Sequence, residues 1–357
     1  MIKCSTGIAI AIAWSGFSEK DKSIEGMFAL NWARTTNDVT NALKTFDGLA
    51  GGFTFATRSG DIGFWSTGRV PIRKSIYDSL YIRDGQSIEN EWKNFYSPED
   101  NPHIINPKSG YISGCSGRIN PLKEAFRSIG TTVPSTSQAL RSDKLITSIL
   151  KRSKELDKSH LEIIQSDSAD LFAESILEKL LEIVEKHKGS YYNSESEEDK
   201  IMGKVLGMMP SWTSEMKNDS KYALIYSMWY KELSEMMLHK QFVDKNDQRF
   251  VAENFFSDYF LGSLVNNWAN NKELDSEYCE NNLNKNKQNK CIYNVIESLV
   301  KAYNKIVDKY NTARNWKWGY ENPIEYSHLH LSSCCFFKFL YHRKALASVF
   351  YSLTLGE

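Results

Sequence analysis

The chain has 357 residues, enough to bury a sizeable core and to hold two domains or one domain with a large helical insertion. Nine Trp, eighteen Tyr and an aromatic share of 13% exclude a disordered segment. Forty-four basic residues balance forty-four acidic ones, so charge gives no reason to expect a nucleic-acid or membrane partner, and no run approaches the ~20 apolar residues that would span a bilayer.

In chain order, Ile8 to Trp14 alternates Ile with Ala, as suits a strand facing two environments. The same run is the only candidate signal-peptide core; it is short for that, and its sole preceding charge is Lys3. Ile24 to Ala33 and Asp38 to Phe46 read as helices, the second with Val39, Ala42, Leu43 and Phe46 on one face. Residues 51–69 predict a hairpin: Gly52 to Thr57 alternates, Arg58-Ser59-Gly60-Asp61 breaks the run, and Ile62 to Trp65 resumes it. Residues 70–135, punctuated by Pro71, Pro98, Pro102, Pro107, Pro121 and Pro134, predict ordered loop and turn. Within them Trp92, Phe95, Tyr96 and Tyr111 need something to pack against or bind.

Helical spacing takes over from Ser137. Leu140, Leu145, Ile149 and Leu150 suggest one helix, and Ala173, Ile176, Leu177, Leu180, Leu181 and Val184 trace the apolar stripe of a clearer one. A Ser/Glu-rich loop is expected over Gly189 to Asp199. Further helices follow from Tyr222 to Met237 and from Val295 to Ile306, with a solvated Asn/Lys/Gln loop over residues 281–290. The expected fold is α+β, divided at 1–136, 137–310 and 311–357. Six cysteines form no CxxC pair, so neither a zinc knuckle nor a dithiol redox motif is suggested. Cys279 and Cys291 enclose the polar loop and read equally as a bridge or as two unrelated thiols.

Several segments, in order and spacing, resemble the large (beta) subunit of the penicillin acylase (penicillin amidase) family of N-terminal-nucleophile hydrolases. They are Ala29-Leu30-Asn31-Trp32-Ala33-Arg34, Phe53 to Ala56, Gly60-Asp61-Ile62-Gly63-Phe64-Trp65, Gly68-Arg69-Val70-Pro71-Ile72-Arg73, Asn106-Pro107 and Ser109-Gly110-Tyr111-Ile112. Leu161 to Asp167, with its Gln165-x-Asp167 spacing, continues the series, as do Trp316-Lys317-Trp318-Gly319 and His328. No one piece is specific, since Gly-Asp-Ile-Gly is only a turn; the ordered series carries the resemblance. It stops at Ser332, where Cys334-Cys335-Phe336-Phe337-Lys338-Phe339 replaces a Gly-rich segment.

What the resemblance implies is a partial αββα sandwich with a large helical region, belonging to an amidohydrolase that cleaves linear amides without an organic cofactor. A new N-terminal Ser attacks the carbonyl, its own α-amine is the base, and backbone N–H with an Asn amide holds the oxyanion. The nucleophile is expected upstream of the segment matching Ile10 to Trp14; Cys4 and Ser5 do not fit its place. Ser116 stands at the oxyanion Asn position, and a hydroxyl reaches less far than a carboxamide. The expectation is therefore a middle-to-C-terminal stretch of the large subunit, inactive alone, that completes itself with an N-terminal half or small subunit and takes a small acylated amide. A non-catalytic ligand-binding derivative and an unstable fragment are the alternatives.

Arg141 matches an Arg that organises the Asn and the substrate in the family; otherwise it reads as a solvated helix-surface residue beside Asp143. Trp92, Phe95, Tyr96 and Cys115 are expected to line the acyl pocket, against plain core packing for the aromatics and a small buried thiol for Cys115, which has no His next to it in sequence although His103 could approach in space. Calcium, held by some family members, has no evident ligand set, since Glu124 alone makes no oxygen cage. His328 and His330 read as structural rather than metal-binding. The family tends to be exported; the sequence itself leaves localisation open.

Overall fold

A computed structural model describes residues 2–3, 9–73, 83–113, 137–153, 155–238, 258–270, 279–280, 287, 289–326 and 343–346. The chain divides into two compact units, residues 1–139 and 140–357.

The first unit opens with a short antiparallel ladder of β1 (Ile2–Lys3) and β2 (Ala9–Ile10). The strand expected to reach Trp14 ends earlier, and a 3-10 turn covers Ser15–Phe17. Gly16 explains the turn: the Trp14 ring folds over it, where an added Cβ would stand 2.4 Å from the indole, and meets Phe17 edge-to-face at 5.0 Å.

Helices α1 (Ser23–Trp32) and α2 (Thr36–Leu43) follow. A capping box starts α2: the Asp38 N–H donates to Thr35 Oγ1 (3.1 Å), and Asp38 Oδ2 accepts from the Thr35 N–H (3.0 Å). Gly26 lets α1 pack tightly, since a Cβ there would lie 2.4 Å from the Phe46 ring. The predicted hairpin forms as β3 (Gly51–Ala56) and β4 (Ile62–Thr67), with Gly51 opposite Thr67 and Ala56 opposite Ile62. Gly60 turns it at φ +94°, a conformation that favours glycine. A third strand, β5 (His103–Ile105), pairs with β4 inside the stretch expected to be loop. Leu43, Phe46 and Trp65 form the core here, flanked by Leu30, Val39, Phe53 and Phe55, so the expected apolar face of α2 does face inward.

The second unit is helical around a larger core. Its helices are α3 (Ser137–Ser153, opening at the end of the first unit), α4 (Lys158–Ser166), α5 (Leu171–His187), α6 (Glu197–Met208), α7 (Lys221–Leu238), α8 (Asp258–Ala269), α9 (Lys290–Tyr310) and α10 (Trp318–Glu321). The central pair is α7 against α9. There the buried Trp229 Nε1–H donates to Val295 O (3.0 Å) and Ser298 Oγ (3.1 Å). Part of the expected Ser/Glu loop is instead the start of α6, because Ser196 caps it and Glu197, Glu198 and Asp199 fill a first turn whose dipole favours carboxylates. Trp316 and Trp318 close the same core. An antiparallel pair, β6 (Pro323–Tyr326) with β7 (Arg343–Leu346), lies near the end. Cys279 and Cys291 are bridged, which decides between the two readings of the sequence. Among the described residues no helix is long and apolar enough to cross a membrane.

Candidate functional site

In the helical unit an ion pair joins Arg141 to Asp167, the last residue of the resembling segment Leu161 to Asp167. Arg141 lies one turn into α3, and Asp167 is the residue that ends α4. The guanidinium grips the carboxylate by its fork: Nε donates to Oδ1 at 2.8 Å and Nη2 to Oδ2 at 2.7 Å. Both side chains are about one-fifth exposed, at 22% and 19%. The Asp167 hydrogen bonds, followed by the carboxylate charges nearby, hold the Arg141 pKa above its ordinary value, so the group is a fixed cation. The partner is thus Asp167 rather than the adjacent Asp143.

Backbone bonds hold the turn that presents Asp167. The Asp170 N–H donates to Ser214 O and the Met216 N–H to Ser168 O, both at 2.9 Å, knitting 168–170 against 214–216. Asp170 then caps α5 through the N–H groups of Phe172 and Ala173. Burial pushes its carboxyl up, partly offset by those two bonds.

Arg141 also lines a cleft of about 1100 Å³ along α5. Leu177, Leu181, Trp212 and Trp268 give it apolar walls, and Lys144, Glu174, Glu178 and Glu182 contribute charge. Lys144 is tied to Glu174 at 2.9 Å. His187 lines the far end of α5, its pKa lowered chiefly by burial. The cleft can hold a molecule with an apolar body and polar ends.

In the first unit two aromatic residues of the Pro-rich stretch come together. Trp92 and Phe95 meet edge-to-face at 6.1 Å. The Arg69 guanidinium lies 4.0 Å from the Phe95 ring centre and that of Arg73 5.5 Å from Trp92, while burial lowers the Arg73 pKa. The Tyr96 N–H donates to Val70 O and the Ile72 N–H to Asn94 O, both at 2.9 Å, fastening the aromatics to the segment after β4. All three rings are half-buried.

A clasp that the sequence pattern did not single out links three elements of this unit. Asp61 Oδ2 accepts from Thr36 Oγ1 at 2.7 Å, and Asp61 Oδ1 accepts from Asn106 Nδ2 at 2.8 Å. Asn106 Oδ1 in turn accepts from the Ile62 N–H at 2.9 Å. Asn106 holds φ +48°, a left-handed conformation Asn tolerates. The Thr36 hydroxyl first, then the Asn106 amide, hold the Asp61 carboxyl below its ordinary range. The clasp fixes the residues that lead toward Gly110-Tyr111-Ile112. A signal was available, since Asp61 and Asn106 both fall in resembling segments.

Ser116, Cys115, Glu124, His328 and His330 lie outside the described residues. Among the described residues no group of three His, Cys, Asp or Glu side chains is placed to hold a metal ion.

A small open antiparallel sheet with a large helical complement fits a partial arrangement of the N-terminal-nucleophile hydrolase class. The family model described as penicillin amidase matches residues 2–347, nearly the whole chain. The chain belongs to the penicillin amidase family.

Proposed function

We propose that this chain supplies the helical region and part of the sheet core of a penicillin-amidase-type amidohydrolase acting on linear amides, and that by itself it does not turn substrate over. The observation that carries the reading is the Arg141–Asp167 fork, which joins the single Arg matched to the family with the last residue of the Gln165-x-Asp167 segment, beside a cleft. In the proposed reaction an N-terminal Ser adds to the amide carbonyl, its amine takes the proton and returns it to the leaving amine, and water releases the acyl group. Arg141 stays protonated throughout and holds Asp167 beside the cleft of the helical unit. Ser116 takes the oxyanion Asn position, and loss of one such donor costs roughly 3 kcal/mol of transition-state stabilisation.

The proposed partner is a nucleophile-bearing N-terminal half or small subunit. Helix α1 supports this, for it exposes Ile24 (65%), Met27 (48%), Phe28 (65%) and Trp32 (78%) along one side. Such a stripe calls for a cover of protein. The proposed ligand is a small acylated amide, with Trp92, Phe95, Tyr96 and Cys115 toward its acyl group.

The cleft favours a second reading, a non-catalytic derivative that binds such a ligand. The closed core of the helical unit runs against an unstable fragment for that unit. The test incubates the purified chain with phenylacetyl-4-nitroanilide. No nitroaniline is expected. Turnover that disappears in Ser116→Ala but persists in the surface change Lys151→Ala would overturn the inactive reading; thermal stabilisation without product would favour the binding derivative.

A further inference from the structure

Cys279 and Cys291 are joined across twelve positions of sequence, with their Cα atoms 4.9 Å apart. Neither has any exposed surface. Around them several contacts converge on the start of α9. The buried Asn294 Nδ2 donates to Cys279 O at 2.8 Å, and the Tyr191 hydroxyl donates to Asn289 O at 3.2 Å. Met237 of α7, itself fully buried, stands with Sδ 3.8 Å from the Cys279 sulfur. Glu280 and Lys290 pair at 3.8 Å.

The run between them is almost wholly polar, and Lys287 within it reaches the Tyr293 ring at 5.3 Å. In the run 281–290 only Leu283 is apolar; the rest are Asn, Lys and Gln. A run of this composition has little apolar surface to bury, so a covalent bond supplies closure that its own burial does not. The base is also tightly packed. Two unbonded sulfurs need almost twice the separation of a bonded pair, and there is no exposed side toward which they could part.

We infer that the Cys279–Cys291 bridge is a redox-dependent fastening of the helical unit, so that the unit reaches full stability only where these thiols become oxidised. In forming it, each thiol loses one proton and one electron, an S–S bond joins the two sulfurs, and a disulfide such as oxidised glutathione takes up the two electrons and two protons to become two thiols. The device places the folding of the unit in an oxidising compartment. It is independent of whether the protein hydrolyses amides.

The test uses the full chain made in an oxidising compartment. Denaturation in N-ethylmaleimide followed by peptide mapping should recover Cys279 and Cys291 as one linked pair, released only after reduction. Thermal unfolding of the native protein should fall by about 5 °C or more on adding reductant, whereas the Cys279→Ser/Cys291→Ser double variant should start low and not respond. Alkylation of both cysteines without reductant, pairing of either with another cysteine, or a midpoint indifferent to reductant would each overturn the inference. The peptide map decides the first two even if the double variant fails to fold.

Discussion

Removal of either partner of the Arg141–Asp167 fork should destabilise the helical unit by more than an ordinary surface pair allows. Hydrogen bonds to charged groups contribute about 1.5–3 kcal/mol, whereas solvent-exposed pairs contribute about 0.2–1 kcal/mol. Here two short bonds form between side chains about one-fifth exposed, which places the pair between those limits. The expected coupling in a cycle of Arg141→Ala, Asp167→Ala and the double change is about 1.5 kcal/mol. Each single change should cost about 2 kcal/mol, which for a unit of this size lowers the unfolding midpoint by roughly 4–8 °C. Urea unfolding followed by tryptophan fluorescence reports it, since Trp212 and Trp268 line the same cleft. Arg141→Lys keeps the charge but loses the planar fork, and should recover less than half of the coupling. A coupling below about 0.5 kcal/mol would show the pair to be an exposed contact and refute its role as a fixed positioning element.

Trp229→Phe removes the N–H that reaches Val295 O and Ser298 Oγ, and should cost about 1–3 kcal/mol in urea unfolding without changing the fold. On the acid side, Asp21, Asp38 and Asp61 sit below the ordinary carboxylate range, held respectively first by the Ser23 hydroxyl, the Arg34 N–H and the Thr36 hydroxyl. Their stabilisation is therefore present above the unfolded value near pH 3.9 and lost as pH falls through the folded values; Asp61→Asn should flatten that acid loss in a pH-dependent melting series. Asp170 has the opposite sign, because burial raises its pKa: its contribution favours the fold at acid pH and fades as pH rises, so Asp170→Asn should diminish that slope. In an ultraviolet alkaline titration Tyr293, pushed up to about 12 by burial and then by Glu297, should ionise later than exposed tyrosines, and its stabilisation should be lost as pH rises from about 10 through that value.

Much of the architecture was legible locally. The hairpin followed from alternation and a Gly60-centred turn, and α5, α7 and α9 from apolar stripes long enough to be unambiguous. Strand β5 was not, because three residues between Pro102 and Pro107 cannot display a period. The start of α6 was misread since Ser and Glu serve a helix N-terminus as well as a loop. The run from Ile8 predicts too long a strand, because its alternation continues to Trp14 whereas β2 ends at Ile10.

The candidate site was legible in its members and not in its pairings. Arg141 and Asp167 were both picked out, but they stand 26 positions apart, and only the fold brings them within 2.7 Å. Local spacing instead offered Asp143. The Asp61–Asn106 clasp spans 45 positions and was hidden for the same reason. Trp92 and Phe95 were read as needing a partner; the arginines that meet them, Arg69 and Arg73, were in view only as part of the family series.

The most direct measurement is the intact mass and N-terminal sequence of the native protein isolated from its source, with amide turnover assayed on the same preparation. The expected result is this chain continuous with, or bound to, a segment processed to expose an N-terminal Ser, with turnover following that segment. Turnover by the isolated 357-residue chain without any such segment would contradict it.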